Sequence, residues 1–216
     1  MSETTSQPQQ TSTASRDDPI AMRLPDETWL EVLERLDYRW LKRVERVCKR
    51  MQRLVKDKRL DTLLFRQKPL RPLKTGDKVK LHPLLYDVYP LHLTPDKAMV
   101  YGEGERNVYD SAACDEYATQ PACTSMMCDF LVTEVPIIID DKGGVTVRQL
   151  FKAIGKFWTA KLAPWEVQAY GPWCKADPYK LNRRALLGDR NGFRGWTEPE
   201  CAGDGWVEIA ALGYES

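Results

Sequence analysis

Apolar residues cluster most densely, and at helical spacing, between Leu24 and Leu60. There Leu24, Trp29, Leu30, Val32, Leu33, Leu36, Trp40, Leu41, Val44, Val47, Cys48, Met51, Leu54, Val55 and Leu60 predict a run of short amphipathic helices. At 100° per residue, Trp29, Leu30, Val32, Leu33 and Leu36 cover an arc of roughly 160°, wider than one packed face requires. That width predicts two contacts, one inside the unit and one outside it. Pro25 suits a first helical turn, and Asp26 and Glu27 place negative charge at the positive end of the helix dipole. Asp37 is an N-cap for a second helix through Leu41 and Val44, and Val47, Met51, Leu54 and Val55 continue the spacing. A stretch of about forty residues rarely buries a core unaided, so part of this apolar surface needs an outside cover.

Beyond Leu60 the pattern becomes mixed. QKPLRPLKTGDKVK reads as a proline-stiffened connector with a Gly-Asp turn, and LHPLLYDVYPLHLTPDKA as extended or irregular chain. Tyr101 to Gln120 is polar and turn-rich. Met126 to Asp140 holds the best strand signal, with Pro136 moving part of it to an edge or bulge, and Gly143-Gly144 turns it into a helix. Thr146 and Gln149 have capping-box spacing, with Val145 and Leu150 as a hydrophobic staple. Val147, Leu150, Phe151, Ile154, Phe157, Trp158 and Leu162 then fall within an arc of about 140°, a core helix laid on a sheet and ended by Pro164. Asn182-Arg183-Arg184 reads as a polar connector, and RNGFRGWTEP and GWVEIAAL predict two strands with Gly205 at a turn. Trp165, Trp173, Trp196 and Trp206 beside arginines would suit a protein-binding surface, although core packing is the better reading for any single ring. The fold class is α+β: three short helices, then a mixed domain with a small β-sheet packed by one main helix.

Composition narrows the function. The chain has 216 residues, 43% hydrophobic and 29% charged, room for a small module and one larger domain. Its 32 basic and 31 acidic residues leave a net charge of +1, so no global field draws it to nucleic acid or membrane. The basic bias is local: Arg39, Lys42, Arg43, Arg46, Lys49, Arg50, Arg53, Lys56, Lys58 and Arg59 crowd the helical stretch. Such a run can bind nucleic acid by releasing counterions; a solvated face, or one turned to an acidic partner, is the preferred reading. Met1 to Asp18 is rich in Ser, Thr and Gln and is expected to be disordered, without the apolar core of a signal peptide. With no run long enough for a membrane span, a cytoplasmic or nuclear location is expected.

In a reducing compartment the six cysteines read as thiols. Cys114, Cys123, Cys128, Cys174 and Cys201 lack the paired C-x2-C knuckles of a zinc site, and His82 and His92 are the two histidines, so no metal or cofactor is expected. Cys48 is a small packing residue. No nucleophile elbow, P-loop, dinucleotide-binding glycine pattern or zinc-protease helix occurs. GEGERN at Gly102 lacks a strand and helix to cradle phosphate, and Asp140-Asp141 reads as a turn before Gly143. No catalytic residue is assigned, and the chain is expected to be non-catalytic.

The order Leu24-Pro25-Asp26-Glu27, Leu30, Leu33 and Leu36, Asp37 before Leu41, Val47-Cys48-Lys49-Arg50, then Leu54, Asp57 and Leu60 resembles an F-box. The resemblance implies a three-helix unit that docks on a Skp1-type adaptor and through it joins a cullin-RING ubiquitin ligase. Adaptor surface and shared core together are assigned to Leu24, Pro25, Leu30, Leu33, Leu36, Leu41, Val44, Val47, Cys48, Leu54 and Leu60. A second resemblance rests on HPLL at His82 to Leu85, ATQPAC at Ala118 to Cys123, GGVTVRQLFKAI at Gly143 to Ile154 and FRGW at Phe193 to Trp196. These are similar to an uncharacterised domain of many fungal proteins. The expected organisation is a tail over 1–18, an F-box over 19–66, a linker over 67–80 and an α+β domain over 81–214. The expected function is the substrate-recognition subunit of a Skp1-cullin-F-box ligase that recruits a protein through its C-terminal domain. The rivals are a protein-interaction scaffold outside the ligase and, behind it, a nucleic-acid binder using the basic helices.

Overall fold

A computed structural model describes residues 23–88, 93–99, 107–131, 133, 135–170, 172, 177–187, 192–203 and 205–215. The tail expected over 1–18, most of GEGERN, His92, Trp173 and Cys174 lie outside these residues. The chain divides into two compact units, with the boundary between Asp57 and Lys58.

The N-terminal unit is three short helices: α1 (Asp26–Leu33), α2 (Tyr38–Val44) and α3 (Lys49–Leu54). Pro25 stands one place before α1, in extended conformation, and its carbonyl accepts from the Trp29 N–H at 3.1 Å. Asp37 caps α2 as its sequence predicts, its carboxylate accepting from the Trp40 N–H at 2.9 Å. A turn over 45–48 separates α2 from α3, and α1 and α3 are in contact. Leu30, Leu33, Leu41, Met51, Leu54 and Val55 are buried.

The C-terminal unit opens with a 3-10 turn at Lys58–Leu60. A two-stranded sheet follows, β1 (Lys80–Leu81) against β2 (Thr119–Gln120). The main sheet contains β3 (Ser125–Asp129), β4 (Ile137–Asp140), β6 (Glu200–Gly203) and β7 (Trp206–Ala210) in the order β4-β3-β7-β6; β5 (Gly192–Phe193) pairs separately with β8 (Tyr214–Glu215). The β3–β4 and β6–β7 pairs are antiparallel and β3–β7 is parallel. Pro136 precedes β4 at the sheet edge, the placement its missing donor requires.

The main helix, α5 (Val147–Thr159), carries the predicted capping box: Gln149 N–H donates to Thr146 Oγ1 and Thr146 N–H to Gln149 Oε1. Its buried residues join Met126 and Cys128 of β3, Ile137 of β4, Cys201 of β6 and Val207 and Ile209 of β7 in one core. Phe130, Phe157, Trp158 and Trp196 form the aromatic centre; the Phe130 ring lies 5.0 Å from Trp158 and 5.5 Å from Trp196 in edge-to-face contact. Trp196 is a core ring, its Nε1–H donating to the Leu85 carbonyl at 3.0 Å, whereas Trp165 is exposed.

Three expectations need correction. Pro164 does not stop α5, which ends at Thr159; it opens a further helix, α6 (Pro164–Tyr170), where proline has no intrahelical donor to lose. The HPLLYD segment is not wholly irregular: Leu84–Asp87 forms a one-turn helix, α4, after Pro83 in helical conformation. The hairpin partner of β7 is Glu200–Gly203 and not RNGFRGWTEP, because Gly205 at φ +84 turns the chain straight back; among the described residues of that stretch only Gly192–Phe193 is strand.

Residues 67–80 are tied into the C-terminal unit. Leu73 is buried, its carbonyl accepts from the Gly205 N–H at 3.0 Å, and Arg71 pairs with Asp77 at 2.9 Å.

Candidate functional site

The four stretches HPLL, ATQPAC, GGVTVRQLFKAI and FRGW, scattered in sequence, are joined by hydrogen bonds. The His82 N–H donates to the Ala118 carbonyl (2.9 Å), Ala118 N–H to Val145 (2.8 Å) and Val145 N–H to Cys123 (2.9 Å), while Trp196 reaches Leu85. Beside this frame lies a buried polar group. His82 Nδ1 accepts from the Leu84 N–H at 3.1 Å, so Nε2 carries the proton and donates to Glu116 Oε2 at 3.2 Å. Arg66 approaches the other Glu116 oxygen at 3.4 Å. An imidazole held on both nitrogens inside a core is a brace, with no room for a substrate. Glu166, fully buried, is held in the same manner by Arg183 Nε and the Ala163 N–H, each at 2.7 Å. Arg183, read as part of a polar connector, is thus an internal partner that only the fold reveals.

Three of the described thiols are suppressed as nucleophiles. Cys114, Cys123 and Cys128 are buried, and desolvation pushes all three up, Cys114 to about 12 and Cys123 to about 11, so the nucleophilic thiolate is suppressed. Among the described residues no group of three or more His, Cys, Asp or Glu is placed to hold a metal ion. At the start of α5 the Arg148 guanidinium holds the Asp115 carboxyl below its usual range, an ion pair of 2.6 Å that anchors the helix to the 3-10 turn at Ala112–Asp115.

The N-terminal unit differs in kind. Of the residues assigned from sequence, Leu30, Leu33, Leu41, Leu54 and Leu60 are buried, Leu36, Val44 and Cys48 are half-buried, and Leu24, Pro25 and Val47 are exposed. Leu60 falls in the second compact unit. Val47 is 70% exposed and Leu24 39%; Trp40 and Val32, not assigned, are 53% and 43% exposed. Four large apolar side chains therefore stand in solvent on a unit of three short helices, and one of them, Val32, belongs to the wide apolar arc of α1.

Two ties give this surface its shape. Arg50, in α3, donates through Nε to Asp26 Oδ1 (2.8 Å) and through Nη2 to the Leu24 carbonyl, and Arg53 reaches Asp26 Oδ2 at 3.4 Å. Asp26 at the head of α1 and Arg50 at the start of α3 thus lock the LPDE and VCKR segments together. Sequence reasoning counted Arg50 as one cation of a basic run; its complement, the carboxylate directly after Pro25 in LPDE, was the available signal. The second tie is local: the Arg43 guanidinium lies 4.8 Å from the Trp40 ring centre, which holds that exposed indole on α2.

No curated protein and no solved structure matches the chain. A family model described as F-box-like matches residues 21–67, which include α1, α2 and α3, the Asp26–Arg50 tie and the four exposed apolar residues. The chain therefore carries an F-box-like domain at residues 21–67, followed by an α+β unit of small sheets and one main helix.

Proposed function

We propose that the protein is a non-catalytic substrate receptor of a Skp1-cullin-F-box ubiquitin ligase. The F-box-like match at residues 21–67 carries this reading, because such a domain implies a Skp1-type adaptor as partner. Leu24, Val32, Trp40 and Val47, exposed on that domain, are the side chains we assign to the adaptor contact. The buried leucines Leu30, Leu33, Leu41 and Leu54 are assigned to its core. The cullin is reached through the adaptor, and the α+β unit, which we read as the uncharacterised domain of fungal proteins that it resembles, recruits the protein to be modified. A receptor of this kind contributes proximity, since it raises the local concentration of the captured protein at a transfer centre held by other subunits. The location consistent with this role is the cytoplasm or nucleus.

The test is a pull-down of the purified chain with recombinant Skp1, beside the Leu24→Ala/Pro25→Ala variant. Capture by the intact chain and its loss in the variant are expected, with unchanged folding of the C-terminal unit by near-UV circular dichroism. Failure of the intact chain to bind Skp1 removes the ligase reading.

A further inference from the structure

The four-stranded sheet has one face in the core; the other is half-buried on the central strands β3 and β7 and exposed on the edge strands β4 and β6. Burial alternates along β3 and β7, with Met126, Cys128, Val207 and Ile209 turned inward. The outward positions are Ser125, Met127 and Asp129 on β3, Ile138 and Asp140 on β4, Glu200 and Ala202 on β6, and Trp206, Glu208 and Ala210 on β7. Four of these are acidic and none is basic, in a chain whose 32 basic and 31 acidic residues nearly balance.

Register makes the arrangement sharper. Ile138 lies opposite Met127, Met127 opposite Glu208, and Glu208 opposite Glu200, so one row crosses the sheet from apolar to doubly acidic. Like charges directly opposite on neighbouring strands repel. Asp140 accepts from Ser125 Oγ and Asp129 from the Leu131 N–H. The carboxylates of Glu200 and Glu208 have no hydrogen bond or ion pair among the described residues. At the apolar end Ile138 is 53% exposed, and Leu131 and Val135 of the same hairpin are exposed as well.

We propose that this face binds an extended basic segment of the recruited protein, Lys or Arg meeting Glu200 and Glu208 while apolar side chains cover Met127, Ile138 and Trp206. The cation removes the Glu–Glu repulsion and the apolar neighbours remove exposed surface from water, so both halves of the row favour the same kind of ligand. The proposal rests on the receptor reading for its biological meaning and on the sheet alone for its chemistry.

The probe is a fluorescein-labelled peptide of alternating lysine and leucine, titrated by anisotropy against the full chain, with an alternating glutamate and leucine peptide as its counterpart. Glu200→Gln/Glu208→Gln is expected to weaken the lysine peptide about tenfold, the sum of two modest surface ion pairs. Asp96→Asn/Asp110→Asn, which removes as much charge from exposed positions off this face, is expected to leave binding within about twofold. The glutamate variant is expected to melt no lower than the parent, since it relieves repulsion. Equal weakening by both variants, no weakening by the first, or equal affinity for the two peptides overturns the proposal. Skp1 capture without face-dependent peptide binding sinks this site and leaves the receptor reading. Face-dependent peptide binding without Skp1 capture sustains the site and removes the receptor reading.

Discussion

The two units of this protein differ in how large a core their apolar residues close: the helical unit buries six, Leu30, Leu33, Leu41, Met51, Leu54 and Val55, whereas the sheet unit builds a continuous aromatic and aliphatic core. In the helical unit Leu24, Val32, Trp40 and Val47 are displayed, while in the sheet unit Phe130, Phe151, Trp158 and Leu150 are sealed inside. The arginine-held carboxylates of the two units also differ in burial. Asp26, which Arg50 and Arg53 hold, is 39% exposed, whereas Glu116 and Glu166, held by Arg66 and Arg183, are buried. A module of three short helices gains little by internal packing and leaves surface for a partner; a domain with a four-stranded sheet and a thirteen-residue helix can close its own core.

The largest test of this contrast is Trp158→Ala. The ring is fully buried among Phe130, Phe157 and Tyr214, and its removal should destabilise the C-terminal unit by about 3–5 kcal/mol, read from urea unfolding followed by tryptophan fluorescence. A loss below about 1 kcal/mol would break the description of this unit as core-built.

A smaller effect is expected at Gly155, inside α5. Alanine there would gain up to about 1 kcal/mol in helix propensity. A Cβ would, however, sit 2.5 Å from the Thr94 carbonyl carbon and 2.8 Å from the Pro95 nitrogen, and backbone cannot yield as a side chain does. Gly155→Ala should therefore destabilise by about 1–3 kcal/mol overall. A raised melting temperature would show that the loop at Thr94–Pro95 does not lie on the helix.

The smallest stability change is expected at Val47. Its side chain is 70% exposed, so Val47→Ser should change stability by no more than about 0.5 kcal/mol. If the displayed apolar residues form the adaptor contact, the same substitution should weaken Skp1 binding by about tenfold, a change measurable by calorimetry. Unaltered binding would take Val47 out of the contact and leave Leu24, Val32 and Trp40 to carry it.

How much of this was legible in the sequence depended on the range of the interaction. The Asp37 cap, the Thr146–Gln149 capping box and the edge placement after Pro136 were all readable, because each depends on residues within a few positions. Pro164 was misread for the same reason: proline is compatible with the end of one helix and the start of another, and local pattern does not choose between them. The hairpin of β6 and β7 was assigned the wrong partner because strand pairing follows the turn at Gly205 and not the richness of a segment in β-formers. The division of the residues assigned from sequence in the N-terminal unit into buried Leu30, Leu33, Leu41 and Leu54 and exposed Leu24, Pro25 and Val47 was not legible, nor was the exposure of Val32 and Trp40.

The sequence by itself determined that the chain has two parts, that the first is a helical module with more apolar surface than it can bury, and that α5 is a core helix. Periodicity, caps and short motifs specify these locally. Only the tertiary structure decided which apolar residues face water, that Arg50 ties Asp26 to the start of α3, that four distant motifs share one hydrogen-bonded frame, and that Glu200 and Glu208 stand opposite each other. Each of those facts joins residues whose neighbourhood is set by the register of strands or the packing of helices, and a linear pattern carries no record of either.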